Sequence, residues 1–415
     1  MKHYAGNGAD MKANNQNAIL NILCQHDISC TEIARRLGLT RASVSNHTNE
    51  LISNGLVLEI GAGESGKKGR GRKPTLLGIN QDYGYVGGLY ISRGACFVGL
   101  TDMKGDVLIS APVQRPADAA PTELLKSAVG ILSELIIRAN VSGERVIGLG
   151  VSVPGPVDTV NGIMLSPPDF KKWHNFPLTP LLSSMTGMNV LMENNATSLT
   201  LAEMRFGHGR DLHDFVYLVV DSGIGGGLVI GGKLFKGKNG FGSEIGHTSI
   251  MMNGRLCSCG NSGCLERYAS IPVLLSEAFS NDEGMDSWRK IVDAAENNDE
   301  HCLTVMDREA EYLSTALVDI INVLEPEAVV FGGDLLYKPS LITRLLHDRI
   351  KNRMITRGYR DFRILPSALS DETGVQAAAT VVLNDFFSRG ETTRPIPDPE
   401  PSSFLKKITQ GAAVL

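Results

Sequence analysis

No run of 18 or more apolar residues occurs in the sequence, so no segment is long enough to span a bilayer as a helix. The first twenty residues, MKHYAGNGADMKANNQNAIL, hold no apolar stretch of the secretory-signal kind, and a cytoplasmic protein is expected. Neither sign of charge is in large excess. With 20% charged and 42% hydrophobic residues and a net charge of −5, the chain is not disordered throughout. Cysteine is scarce and odd in number, seven in 415 residues, and three of the seven fall between Cys257 and Cys264. That distribution suits a metal site better than a disulfide framework. Tandem repeats of about 20–50 residues are absent too. What is present is length enough for two or three domains.

Charge is divided along the chain. Residues 1–80 carry ten Lys/Arg against six Asp/Glu, a net +4, which leaves −9 on the remainder. A basic head on an acidic body points to a nucleic-acid module joined to something else. Within the head, Ile19, Leu20, Ile22 and Leu23 have helical spacing. Thr31 is placed to cap a helix burying Ile33, Ala34 and Leu37, Gly38 supplies a turn, and Thr40 caps a second helix from Arg41 to about Ser53. Its inner face is Val44, Thr48, Leu51 and Ile52. The outer face offers Arg41, Ser43, Ser45, Asn46 and Asn49, short polar side chains suited to base edges and phosphates in a major groove. Two strands follow, near 56–60 and 75–79, joined by the loop GAGESGKKGRGRKP. The whole reads as a winged helix-turn-helix that binds double-stranded operator DNA, with Arg70 and Arg72 of the wing able to enter a minor groove.

Beyond residue 80 strands alternate with helices in an α/β pattern. Strands are expected near 85–91, 95–101, 107–110, 146–153, 190–192, 215–221, 228–230 and 328–331, and helices near 121–139, 196–205, 304–324 and 374–387. The expected division is a winged helix-turn-helix over 1–80, a first lobe over 81–195 completed by a helix at 374–388, and a second lobe over 196–373. A proline-rich tail occupies 389–415.

Two segments carry chemistry. In SEIGHTSIMMNGRLCSCGNSGCLE, His247, Cys257, Cys259 and Cys264 form a one-histidine, three-cysteine set suited to tetrahedral Zn²⁺. All four positions are filled by protein, so one structural rather than catalytic ion per chain is expected. In LVVDSGIGGGLVIGGKLFKG, a Gly-rich turn either places backbone N–H groups around a phosphate or is a plain hairpin.

These segments, together with VSVPGPVD (151–158), MENNATSLTLAE (192–203) and VVFGGDL (329–335), resemble the ROK family of repressors and sugar kinases over about residues 17–387. The winged helix in front is similar to the repressor members, the xylose and N-acetylglucosamine repressors of bacteria. The resemblance implies an actin-like, two-lobed sugar kinase body of RNase H-like type with a sugar in the cleft. It places sugar contacts on Asn194, Glu244, His247 and Glu266, with Asn195 beside them, and zinc ligands on His247, Cys257, Cys259 and Cys264. The kinases of the family have Asp-x-Gly-Gly-Thr at the first phosphate turn, where this chain has Tyr90-Ile91-Ser92-Arg93-Gly94. They also have Glu-Asn-Asp with the Asp as general base, where this chain has Glu193-Asn194-Asn195. An amide accepts no proton, and losing a general base costs about 10²–10⁴-fold in rate. Asp169 stands where many members have Asn. The expectation is a non-catalytic, sugar-responsive transcriptional regulator of carbohydrate genes acting as a homodimer or a dimer of dimers. The alternative is an active sugar kinase with a DNA-binding head.

Overall fold

The computed structural model describes residues 8–62, 74–114, 120–168, 170–280, 284–359, 362–369 and 372–389. Arg70 and Arg72, Asp169 and the tail beyond Arg389 lie outside the described residues. No helix among the described residues is long and apolar enough to cross a membrane.

The head consists of helices Gly8–Gln25, Cys30–Leu37 and Arg41–Ser53 and a three-stranded sheet ordered Ile28–Ser29, Thr75–Ile79, Val57–Ala62. Thr40 caps the third helix by accepting the Ser43 N–H at 3.2 Å, and Gly38 closes the second in the left-handed region at φ +65°. The cap of the second helix is Ser29, not Thr31: its hydroxyl accepts the Glu32 N–H, and the strand pairing of Ile28–Ser29 with Leu76–Leu77 fixes that start. Ile19, Leu20, Leu23, Ile33, Val44, Leu51, Leu56 and Val57 form the buried centre.

The body has two five-stranded sheets. The first runs in the order Val190–Asn194, Val146–Val153, Tyr85–Ile91, Cys96–Thr101, Val107–Pro112; the second runs Lys233–Phe235, Ile224–Ile230, Phe215–Val220, Ala328–Gly333, Arg363–Pro366. In each, three neighbouring strands are parallel and the remaining pairs are antiparallel. Helix Pro121–Arg138 covers the first sheet with Leu124, Leu125, Ala128, Leu132, Leu135 and Ile136, a stripe at helical spacing. Helices Glu300–Leu324 and Ser340–Arg353 pack on the second sheet.

Helices Asn195–Phe206 and Thr373–Arg389 pack against each other, the former touching both sheets and the latter lying across the first. The sequence allows this through small residues: a Cβ on Gly150 would run into the backbone of Ala378. The final helix also joins the head to the body, because Ala379, Val382, Leu383 and Phe387 share one core with Ile19, Leu20 and Leu23.

Glu309, fully buried on helix Glu300–Leu324, has no hydrogen-bond partner for either carboxyl oxygen among the described residues. Burial pushes its carboxyl well above the ordinary 4.5. The folded state therefore favours the protonated form, so the cost is absent below about pH 4.5 and grows as pH rises. Glu309→Gln is expected to relieve about 1–3 kcal/mol at neutral pH, raising Tm by a few degrees at pH 7 and hardly at all near pH 4. Scanning calorimetry at the two pH values checks it, and a Tm lowered at both rejects it.

Candidate functional site

Between the two sheets lies a cleft of about 600 Å³. Asn194, Asn195, Glu244, His247 and Glu266 all line it, as do Tyr90, Arg93, Asp221 and Gly223. Asn194 ends a strand and caps helix Asn195–Phe206, accepting the Thr197 N–H at 2.7 Å, which leaves its amide nitrogen on the cleft side of the turn. Asn195 is held by the first sheet. Its Oδ1 accepts the Ser152 hydroxyl at 2.7 Å and its Nδ2 donates to the Ile91 carbonyl at 3.0 Å. A carboxylate at 195 would face that carbonyl with no proton to give, so this framework is built for an amide. The neighbouring Glu193 is buried and pairs with Lys236 of the opposite lobe.

Glu266 is tied down on both oxygens. Oε2 accepts the Ile224 N–H at 2.9 Å, and Oε1 receives both terminal nitrogens of Arg93 at 3.3 Å. Arg93 also donates to the Ser222 carbonyl at 3.2 Å, and Gly223 is bare because a Cβ there would strike Arg93 and Glu266. Glu244 stands at the cleft mouth; partial burial, and the Glu266 charge, raise its carboxyl pKa against the opposing pull of His247. Tyr90 packs on Gly374, and burial with the Asp221 charge lifts its hydroxyl far above the usual phenol range.

Gly225, Gly226 and Gly227 sit inside strand Ile224–Ile230, and their missing side chains admit Ala196, Ile245 and Thr200 respectively. The turn itself is Asp221 to Gly223. The segment forms a hairpin, and Gly225 and Gly227 serve close packing against helix Asn195–Phe206.

His247, Cys257, Cys259 and Cys264 present four donor atoms within 4.8 Å of one another. The Cys259 and Cys264 sulfurs lie 3.7 Å apart, and His247 Nδ1 lies 3.6 Å from the Cys257 sulfur. A tetrahedron with metal–sulfur bonds of about 2.3 Å has edges of about 3.8 Å, so the cluster is compatible with a metal ion. Gly260 and Gly263, at φ +92° and +79°, bend the loop around the site. Burial and the adjacent Cys259 and Cys257 sulfurs push the Cys264 thiol up to about 12, so a cation is what would ionise this set.

On the head, Arg41, Asn46 and Asn49 are exposed and Ser43 and Ser45 half-buried, all on helix Arg41–Ser53, while Val44, Thr48 and Leu51 face inward. Lys12 and Gln16 of the first helix hold Glu50, which fixes how that helix is presented. In the sequence Arg93 shows only as a departure from the kinases' first phosphate turn. Its partner Glu266 lies 173 residues away, and no local signal pairs them. Arg205 was missed entirely: buried at the end of helix Asn195–Phe206, it donates to Asn21 of the head at 3.2 Å and to Asn384 at 2.9 Å. An arginine in an otherwise apolar helix end was the available sign.

A DNA-reading winged helix fused to a two-lobed, kinase-type ligand body is the class these features define. The chain belongs to the ROK family, whose model matches residues 86–385, and a winged helix-turn-helix DNA-binding model matches residues 14–57. The chain is 30% identical over 397 residues to the xylose repressor of Caldicellulosiruptor bescii, covering 92% of this chain and 98% of that protein. A crystal structure of a ROK family transcriptional regulator, a homolog of the Escherichia coli Mlc protein, superposes with a TM-score of 0.76 at 24% identity, over 93% of this chain and 99% of that one. A ROK family glucokinase from Streptomyces griseus, solved with glucose and AMPPNP, superposes with a TM-score of 0.63 at 26% identity, over 71% of this chain and 98% of the kinase.

Proposed function

We propose that the chain is a DNA-binding transcriptional repressor of carbohydrate-utilisation genes, controlled by a sugar or sugar derivative held in the cleft. The observation that carries this reading is one polypeptide in which a capped, polar-faced helix Arg41–Ser53 and a cleft bearing Asn194, Glu244, His247 and Glu266 share a continuous framework. Carboxylates accept from vicinal hydroxyls and the Asn194 amide donates, the pairing a sugar requires. Similarity to a xylose repressor over nearly the whole chain, head included, supports it. The metal of the His247–Cys257–Cys259–Cys264 cluster is structural Zn²⁺, which holds His247 with its second nitrogen free for a sugar hydroxyl. Two copies reading a pseudo-palindrome follow from helix-turn-helix geometry.

Phosphotransfer is not part of this function. Asn195 cannot act as base, Tyr90 and Arg93 fill the first turn, and Asp221 sets a negative charge beside it. Sugar occupancy reaches DNA through helix Asn195–Phe206, whose first residues line the cleft and whose last turn binds the head through Arg205 and Asn21. A ligand acts here only by its differential affinity for two arrangements of head and lobes.

Gel-shift with the gene's own upstream DNA is the test. The expected result is a specific complex, formed by a dimer, whose affinity changes at least about tenfold with one sugar of a panel. Sequence-independent binding insensitive to every sugar overturns the reading, and ATP-dependent phosphorylation of any sugar overturns the non-catalytic part.

A further inference from the structure

Arg93 and Glu266 meet across the cleft. Arg93 sits at the hairpin tip between strands Tyr85–Ile91 and Cys96–Thr101, in a turn held by mutual Ser92–Ala95 bonds, so its backbone is fixed to the first sheet. Glu266 opens a short helix two residues after Cys264, in the other lobe. Their side chains are 23% and 11% exposed, so water screens the pair only in part. The geometry is that of a contact made to be exchanged. Both guanidinium nitrogens share one carboxylate oxygen at 3.3 Å instead of forming two short parallel bonds, and Nη1 also donates to the Ser222 carbonyl. With Oε2 held by Ile224, the oxygen that Arg93 occupies is the one a sugar hydroxyl would take.

We propose that Arg93 is a built-in competitor for the effector: it ties the two lobes through Glu266 in the ligand-free protein, and a sugar hydroxyl displaces it. Cleft occupancy is thereby converted into the release of one inter-lobe tie, while the Glu193–Lys236 pair and helix Asn195–Phe206 still join the lobes. The proposal rests on the reading of Glu266 as a sugar contact. It carries an unusual sign. Removing a residue that touches sugar weakens binding, whereas removing a competitor strengthens it.

The test compares full-length wild type with Arg93→Gln. Titration calorimetry with D-xylose, D-glucose and N-acetyl-D-glucosamine is expected to show sugar binding about tenfold tighter in the variant. Operator affinity without sugar is expected to move toward the wild-type, sugar-bound value. Hydrogen exchange, which needs no sugar, is expected to quicken at the Ile224 amide and its neighbours once Glu266 loses its second tether. Equal or weaker sugar binding overturns the proposal. Should none of the three sugars bind wild type, the sugar reading is what fails, and exchange decides the tie alone: faster exchange keeps it and unchanged exchange overturns it.

Discussion

Glu266→Gln is expected to abolish the response to sugar while sparing the fold. On the proposed reading the carboxylate accepts a sugar hydroxyl, positioned by the Ile224 N–H and by the helix it opens just after the His/Cys cluster. Glutamine keeps the size, and its carbonyl oxygen still accepts from Ile224, but the charge that strengthens a hydroxyl contact is gone. Hydrogen bonds to a charged partner contribute about 1.5–3 kcal/mol, which converts to a loss of roughly 10–150-fold in sugar affinity. The helix Arg41–Ser53 shares no core with this site, so the head stays folded, while the tie to Arg93 is lost as in Arg93→Gln and the ligand-free gel-shift is expected to move in the same direction. Calorimetry and gel-shift on one preparation check it. Wild-type sugar affinity in a folded Gln variant removes Glu266 from the site.

What could be read from the chain follows from the range of the forces involved. Caps and turns are local, so Thr40 and Gly38 were legible from a few residues. Ser29 took the place expected of Thr31 because a strand pairing with Leu76 and Leu77, far along the chain, decided where the helix begins. Strands Tyr85–Ile91 and Val146–Val153 are apolar nearly throughout and show in any window. Helix Ser340–Arg353 buries only Ile342, Leu346 and Ile350, a four-residue spacing that was present but thin among charges. The Gly225–Gly227 run looked like a turn because the helix it accommodates lies elsewhere in the sequence. The cysteine cluster was legible because all its ligands fall within 18 residues, His247 to Cys264. The Arg93–Glu266 contact was not, because its halves belong to different lobes.

Loss of the metal is expected to erase sugar binding and lower the melting temperature of the second lobe, leaving the head folded. The segment 249–264 exposes much of its apolar surface, Met252 at 88% and Leu256 at 73%. It is held by the buried Cys257 and Cys264 and by Arg255, which pairs with Glu277, donates to the Arg267 carbonyl at 2.9 Å and lies over the Tyr268 ring. Structural zinc contributes about 10–16 kcal/mol to the folding of small zinc-dependent peptides, comparable to the ~5–15 kcal/mol that stabilises a whole domain. Without an ion, the loop opens, and it takes with it His247 at one side and Glu266 at the other. The head rests on Ile19, Leu20, Val44 and Leu51, which belong to another core. Cys264→Ser, or chelation of wild type, should therefore give protein without the proposed zinc by elemental analysis. Its operator binding should persist and no longer answer to sugar. Metal-free protein that still binds sugar with wild-type affinity would show that the ion is dispensable, and the four ligands would then need another role.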